Sequence, residues 1–150
     1  VEVVDSATPP DRSNKSFSER PGVAFDDKPV MQTWGQTLAQ PKSSYQKGEV
    51  ATAVFRGAHP KNNLRTEDSF LKVQRLENGN WVDYLNDDHF DTTYTWKREG
   101  VSYSKAIVDW RISKDTPKGT YRLTHTGDWK NGWTRKIKPY SGVSNSFTVQ

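Results

Sequence analysis

The hard oxygen ligands of the chain are concentrated in one short acidic segment, residues 86–91, which reads NDDHFD. Asp87, Asp88 and Asp91 stand close together and are followed by Thr92, whose hydroxyl oxygen is a further hard ligand. Carboxylates at such short spacing can converge on Ca²⁺ or Mg²⁺, which prefer oxygen ligands. The segment lacks the glycine and the terminal glutamate of an EF-hand loop. It therefore predicts either a divalent-cation site or a solvated turn.

The histidines and nucleophiles of the chain predict no catalytic residue. His59, His89 and His125 are far apart and show neither HExxH nor His-x-His spacing, so we do not expect them to form a zinc site. We expect each histidine either to have a structural role or to lie on the surface. The chain has no cysteine, and it contains neither a G-x-S-x-G motif nor a glycine-rich phosphate loop. Disulfides and thiolate chemistry are therefore excluded.

A second candidate site is the segment 129–138, which reads WKNGWTRKIK and holds the densest cluster of cations. Trp129 and Trp133 lie there among lysines and an arginine, a combination that suits a membrane headgroup layer or stacking on a sugar. The alternative is that both tryptophans cover the core or a seam between domains. Elsewhere the cations are scattered, and a net charge of +4 without a basic stripe argues against a nucleic-acid partner.

Short alternating segments must position these candidate sites, and they indicate an all-β chain. In the stretch Tyr45–Val73, two apolar runs flank a polar connection that mixes turn residues with cations. The dipeptide Asn78-Gly79 between two further runs predicts a β-hairpin. Strands are predicted over residues 49–56, 69–77, 81–85, 92–97, 103–112, 120–126 and 146–150, with a further short strand within 29–40. Residues 127–142 are predicted to form a long loop.

Seven or eight short strands without a convincing amphipathic helix predict an immunoglobulin-like antiparallel β-sandwich. Because cysteine is absent, the inter-sheet disulfide of many such folds is impossible, and Trp110 or Trp96 must fill the core by aromatic burial. The run Pro117–Tyr121 is typical of the approach to a tyrosine corner, in which the tyrosine hydroxyl ties a turn between the sheets.

The length of 150 residues predicts a single folded domain. Residues 1–30 show almost no apolar periodicity and are predicted to form an extended linker, whereas residues 31–150 form the sandwich. The linker is a frayed N-terminus if the domain is free. It is a strap against a neighbouring domain if the chain continues upstream.

Residues 57–73, which read GAHPKNNLRTEDSFLKV, resemble a segment of the C-terminal domain of neutral ceramidases with the pattern G-A-x-P-x-N-N-L-R-T-x-x-x-F-L-x-V. The resemblance covers roughly residues 9–150, and this central piece is its specific part. The other matching pieces, in order, are Pro9–Asp11, Gly35–Pro41, Tyr45 with Gly48, Trp81, Thr92 with Trp96, and Pro117–Arg122.

The resemblance implies an immunoglobulin-like C-terminal domain that follows a larger zinc amidase domain. The reaction it implies is hydrolysis of the amide of ceramide to sphingosine and a fatty acid. The zinc ligands and catalytic residues would lie in the other domain, which makes this chain a non-catalytic accessory domain. The implied partner is that catalytic domain, with a membrane surface as a further candidate. The implied location is secreted, extracellular or periplasmic.

The resemblance also implies two sites. The polar loop Gly57–Thr66 becomes a candidate docking surface for the catalytic domain, with contacts expected from Pro60, Asn62, Asn63, Leu64 and Arg65. Some family members hold a divalent cation at the interdomain seam with a D-x-D-x-x-T pattern, which implies Asp87 and Thr92 as ligands of Ca²⁺ or Mg²⁺. His89 stands where the second aspartate would be and is a poorer ligand for a hard cation, so a neighbouring aspartate would have to compensate.

The alternative function is a free-standing β-sandwich module that binds carbohydrate or lipid surfaces through Trp129 and Trp133. Two expectations separate the alternatives. A docked domain exposes an apolar patch once its partner is removed. A binding module is closed on all sides and binds glycans or liposomes by itself.

Overall fold

Every regular element that the structure describes is a β-strand, which confirms the all-β prediction. The computed structural model describes residues 15–17, 34–57, 70–99, 103–130 and 137–150. Within these ranges the chain forms eleven strands and no helix. The strands are β1 (Lys15–Phe17), β2 (Thr37–Ala39), β3 (Ser44–Tyr45), β4 (Val50–Arg56), β5 (Leu71–Glu77), β6 (Asn80–Asn86), β7 (Thr92–Glu99), β8 (Tyr103–Arg111), β9 (Gly119–Lys130), β10 (Ile137–Val143) and β11 (Phe147–Val149).

The strands form two sheets. The first has the order β1-β7-β8-β4-β2, and the second has the order β3-β11-β9-β5-β6, with β10 also paired to β9. Most neighbours are antiparallel, whereas the short pairs β1–β7 and β3–β11 are parallel. The buried residues of both sheets form one apolar cluster. The predicted immunoglobulin-like β-sandwich is therefore confirmed, with mixed sheets where antiparallel ones were predicted.

Aromatic side chains fill the space between the sheets, as expected for a chain that has no disulfide. Trp96 of β7 and Trp110 of β8 are both fully buried. Both tryptophans therefore fill the core, where the sequence suggested one or the other. The ring centroid of Trp110 lies 5.0 Å from that of Tyr121 and 6.2 Å from that of Phe147, both in the opposite sheet. Such aromatic pairs add to the free energy gained by burying apolar area alone.

Strand β4 shows why the sequence alternates at the centre of the first sheet. It lies between β8 and β2 and is therefore not an edge strand. Ala51, Ala53 and Phe55 point into the core and are completely buried. The opposite face is partly covered, and Val50 at its beginning is 49% exposed.

Two predicted local signatures are confirmed. Asn78 and Gly79 have φ angles of 50° and 80°, and they join β5 to β6 in the predicted hairpin. Glycine, and asparagine to a lesser extent, tolerate these left-handed angles. The tyrosine corner is also present, because the Tyr121 hydroxyl donates a hydrogen bond of 2.7 Å to the carbonyl oxygen of Pro117.

The predicted long loop over residues 127–142 is wrong where the structure describes it. Strand β9 continues to Lys130, and β10 pairs with it in antiparallel register, with Gly127 opposite Tyr140. The glycine at residue 127 contributed to the prediction of a loop. In the structure, a glycine is needed there because the neighbouring side chain leaves no room for a Cβ atom. A Cβ atom at this position would lie 2.6 Å from the Tyr140 hydroxyl oxygen. Close packing against a neighbouring strand therefore explains this glycine.

Three strands were not predicted, namely β1, β3 and β10. Strand β1 falls inside the predicted linker and pairs in parallel with β7, with Lys15 opposite Tyr94. The rest of residues 1–30 lies outside the described residues. Strands of two or three residues are too short to show an alternating pattern, so periodicity could not reveal β1 or β3.

The tyrosine corner generates a stability prediction. We expect Tyr121→Phe to lower the free energy of unfolding by about 1–2 kcal/mol, because the Pro117 carbonyl loses its hydrogen-bond donor while the ring stays in place. Chemical denaturation measures this difference. Tyr84→Phe is the matched control, since its ring packs on Tyr121 at 5.5 Å and its hydroxyl bonds to no described residue. Equal destabilisation by the two variants would contradict the prediction.

Candidate docking site at the base of the 58–69 connection

The residues predicted to contact a partner domain fall in the connection between β4 and β5. Pro60, Asn62, Asn63, Leu64 and Arg65 lie outside the described residues, and so does Trp133. Trp129 lies in β9 with its backbone opposite Lys138, and its side chain is not described. These contacts stay predictions. The structure describes the two ends from which the connection starts and returns, Arg56–Gly57 and Phe70, which we call the loop base.

The first end of the loop base is fixed by a serine of the neighbouring strand β8. The Arg56 guanidinium is buried and donates through Nη1 to the Ser104 carbonyl oxygen at 3.1 Å. The Ser104 hydroxyl in turn donates to the Gly57 carbonyl oxygen. Gly57 itself lies so close to β8 that a Cβ atom would be 2.7 Å from the Cβ of Ala106. Only glycine leaves room for this approach.

The second end of the loop base is fixed through the backbone of Phe70. Its N–H donates to the Asp87 carboxylate at 2.9 Å. Its carbonyl oxygen accepts from the Thr126 N–H at 3.0 Å and from the His125 Nδ1 at 2.7 Å. Its ring stacks on Tyr94 with a centroid distance of 4.9 Å. Three polar partners and one aromatic ring therefore hold one residue at the end of the connection.

His125 is the central polar side chain of the loop base. The sequence placed it among structural or surface histidines, and the structure shows it buried and accepting the Tyr140 hydroxyl at its Nε2, with an N–O distance of 2.8 Å. Burial lowers the pKa of His125 from 6.5 to about 4, against the opposing effects of the Phe70 carbonyl and Asp87. The ring is therefore neutral near pH 7. A carbonyl only accepts, so Nδ1 carries the proton and Nε2 offers its lone pair to Tyr140.

Both candidate partner surfaces leave the same end of the sandwich. Arg56 at the end of β4 pairs with Lys105 at the beginning of β8, and Leu71 at the beginning of β5 pairs with His125. The His125 ring lies 5.9 Å from that of Phe55, which brings these strand ends of the two sheets together. Strand β9 continues beyond His125 to Lys130, and Gly142 of β10 pairs with His125 on the other side. The described end of the 58–69 connection at Phe70 and strand β10 therefore both lie next to β9 at His125.

The acidic segment 86–91 lies next to this base, and its polar groups have partners within the fold. Asp87 is buried and accepts from Phe70, while the Thr92 hydroxyl contacts the carbonyl oxygens of Asn86 at 2.7 Å and His89 at 2.9 Å. Asp91 binds Arg111, with a shortest distance of 2.7 Å. Among the described residues, no group of three or more histidine and carboxylate side chains is arranged to hold a metal ion. The Ca²⁺ or Mg²⁺ site at Asp87 and Thr92 stays a prediction.

Sequence reasoning missed the polar cluster around His125. The signal was present, because Tyr121, Leu123 and His125 alternate along β9 and all three are buried. A histidine in phase with core residues is expected to point inward and to need partners for both ring nitrogens. It also missed Phe90, which is 73% exposed and stacks on His89 at 4.7 Å. A phenylalanine in an acidic loop carries no pattern that predicts its exposure.

The fold and the loop base together define an immunoglobulin-like β-sandwich domain in which buried hydrogen bonds fix Gly57 and Phe70, the residues on either side of the 58–69 connection. A family model described as "Neutral/alkaline non-lysosomal ceramidase, C-terminal" matches residues 1–149. The chain therefore belongs to the family of neutral/alkaline non-lysosomal ceramidase C-terminal domains, and the predicted family is confirmed.

Relatives and a solved structure agree with this assignment. The neutral ceramidase of Pseudomonas aeruginosa is 39% identical over 150 residues, which are 98% of this chain and 22% of that protein. Neutral ceramidase A of Dictyostelium discoideum is 39% identical over 134 residues, 87% of this chain and 19% of that protein. A crystal structure of the Pseudomonas aeruginosa enzyme superposes with a TM-score of 0.81 and 40% identity, and covers 86% of this chain and 21% of that one.

The chain thus corresponds to a small part of each of these relatives, between 19% and 22% of their length. In these relatives the matching segment is accompanied by a much larger remainder. In the part of the chain that the structure describes, no helix is long and apolar enough to cross a bilayer.

Gly57 generates a prediction about the loop base. We expect Gly57→Ala to lower the free energy of unfolding by about 1–3 kcal/mol, because overpacking moves well-placed neighbours. The added Cβ would lie 2.7 Å from Ala106 Cβ and 3.2 Å from His125 Nε2. Ala106→Gly removes the nearer of these atoms, so the double variant should be more stable than the sum of the two single effects. Strictly additive costs in a double-mutant cycle would contradict the close contact.

The buried histidine generates a pH prediction. The folded pKa of about 4 lies below the unfolded value of 6.5, so the unfolded chain binds more protons between these values. The stabilisation is complete above pH 6.5 and decreases to pH 4, by about 3 kcal/mol in total.

Denaturation at a series of pH values tests this account. We expect His125→Gln to lose the part of the acid sensitivity between pH 6.5 and 4 that His125 causes. His89→Gln, which changes a partly exposed loop histidine, should keep it. The same pH dependence in the unmodified protein and in His125→Gln would show that His125 does not titrate as described.

Proposed function

We propose that this chain is a non-catalytic accessory domain that supports a zinc amidase domain. That domain would hydrolyse ceramide to sphingosine and a fatty acid. The observation that carries the proposal is the match of residues 1–149 to the C-terminal family model. Named neutral ceramidases that contain the matching segment extend far beyond it, since it makes up only 22% of one and 19% of another. The remaining four-fifths of such a protein, roughly, have room for the chemistry.

The proposed mechanism is docking through the 58–69 connection. Buried hydrogen bonds hold both ends of this connection. Ser104 donates to Gly57 at one end, and at the other Phe70 donates to Asp87 and accepts from Thr126 and His125. Because Gly57 and Phe70 are already fixed, the loop base itself loses little conformational entropy when a partner binds. The expected contacts are those of the sequence prediction, Pro60, Asn62, Asn63, Leu64 and Arg65.

The polar residues in the middle of the connection favour a protein partner over a flat lipid surface. Amide and guanidinium side chains such as those of Asn62, Asn63 and Arg65 form directional hydrogen bonds, which a folded domain can match one by one. The fixed loop base supplies the precision that such matching needs, because a mobile support would blur the positions of the donors.

Binding in trans tests the docking surface. The chain and its catalytic domain are expressed separately, and calorimetry measures their affinity. We expect Arg65→Ala to weaken binding roughly tenfold or more, because an arginine at the centre of an interface is a frequent hot spot. Lys114→Ala is the matched control, since Lys114 is an exposed cation beyond the opposite end of β8. Equal affinities of the two variants would contradict docking through this connection.

Activity of the isolated chain separates the proposal from an enzyme. We expect no release of fatty acid from ceramide by this chain, with or without zinc, and turnover by the protein that includes the catalytic domain. Turnover by the chain alone would overturn the accessory role. Binding of the isolated chain to liposomes or glycans, lost on Trp129→Ala, would instead support the alternative of a binding module.

A further inference from the structure

We propose that His125 is a positioning residue that ties the loop base to the β9–β10 hairpin, so that the two segments predicted to contact partners respond as one unit. The inference rests on the proposed function, because it concerns the same end of the sandwich. It adds a coupling between two surfaces that the sequence treated separately, the 58–69 connection and the segment 129–138.

The coupling runs through one imidazole ring that is bonded on both sides. Strands β5 and β10 lie on opposite sides of β9 and are not neighbours in the sheet. The His125 ring joins them across the core face, because Nδ1 donates to the Phe70 carbonyl at 2.7 Å and Nε2 accepts from Tyr140 at 2.8 Å. Backbone pairing joins β5 and β10 to β9 but not to each other, so this side chain supplies a direct bridge between the loop base and β10.

The surroundings of the ring leave it little freedom to move. It stacks on Tyr94 at a centroid distance of 5.5 Å and lies 5.9 Å from Phe55. On the far side, the Tyr140 ring packs on Trp34 at 6.0 Å and covers Gly127. Because closely packed interiors transmit displacements, we expect these rings to shift together. A displacement of β10 at Tyr140 is therefore transmitted to the ring of His125.

A second route returns from Tyr140 to the first end of the loop base. Trp34 is followed by Gly35, whose N–H donates to the Arg56 carbonyl oxygen at 2.8 Å. Gly35 also lies against β10, where a Cβ atom would be 2.2 Å from the Ser141 carbonyl oxygen. Strand β10 thus contacts both ends of the connection, Phe70 through His125 and Arg56 through Gly35.

No other side chain replaces the neutral imidazole in this bridge. It offers one donor and one acceptor on opposite sides of a flat ring, and both are used. A shorter amide side chain reaches one of the two partners and leaves the other buried polar group without its hydrogen bond, which is costly. The bridge therefore depends on both His125 and the Tyr140 hydroxyl.

Hydrogen exchange of the full-length protein tests the coupling. Tyr140→Phe removes the donor to Nε2 and keeps the ring. We expect amide exchange to become about tenfold faster both in peptides of β10 and in peptides that contain Phe70 and Leu71, which do not touch Tyr140 in the sheet. Tyr84→Phe is the matched control and should leave the Phe70 peptides unchanged. Unchanged exchange at Phe70 in Tyr140→Phe, or an equal change in both variants, would overturn the proposal.

The unmodified protein provides a second measurement that does not depend on any variant. If the bridge couples the segments, the peptides around Phe70 and those of β10 open with the same free energy and the same dependence on denaturant. Distinct opening free energies would overturn the proposal. Both readouts compare peptides within one protein, and neither measures affinity for the partner domain. Coupled exchange with no binding in trans would refute the docking function alone, and uncoupled exchange with normal binding would refute this inference alone.

Discussion

The structure depends on one constraint, which is that polar groups buried between two aromatic sheets must find their partners inside the fold. At the end of the sandwich where β4 stops and β5 begins, the chain brings an arginine, a histidine, a carboxylate and several backbone groups into the interior. An unpaired buried polar group costs about 1–3 kcal/mol, so each of these groups is placed by its need for a partner. His125 meets the constraint with both ring nitrogens, and the Phe70 carbonyl meets it with two donors. The loop base is the result.

The aromatic core stabilises the sandwich without a disulfide, so that it can carry this buried polar cluster. Trp96, Trp110 and Tyr121 fill the space between the sheets and leave a rigid surface against which the polar cluster is fixed. The aromatic core and the polar cluster have different structural roles. The core holds the two sheets together, and the polar cluster fixes the residues on either side of the 58–69 connection at one end of the sandwich. This division agrees with membership of a ceramidase C-terminal family, in which the domain is a small part of a larger protein.

The sequence predicted the fold well because the fold is governed by local signals. Alternation along β4, the Asn78-Gly79 turn and the tyrosine at residue 121 each depend on neighbours in the chain, and each was confirmed. Strand β10 was not predicted, because its Gly142 is explained by close packing against Gly35 and Phe55, which are far away in sequence. The hydrogen-bond partners of His125 were not predicted for the same reason, since Phe70 is 55 residues distant in sequence. The residues of the docking prediction itself came from family resemblance, which no local physical argument could replace.

The central claim is that the domain acts through the end of the sandwich that carries the loop base. Hydrogen exchange measured on the chain alone and on the chain together with the proposed catalytic domain tests it most directly. The account predicts slower exchange in the presence of that domain for peptides that span residues 55–71, with no change in the turn 113–118 at the opposite end. Protection at residues 113–118, or identical exchange over 55–71 in both forms, would contradict it.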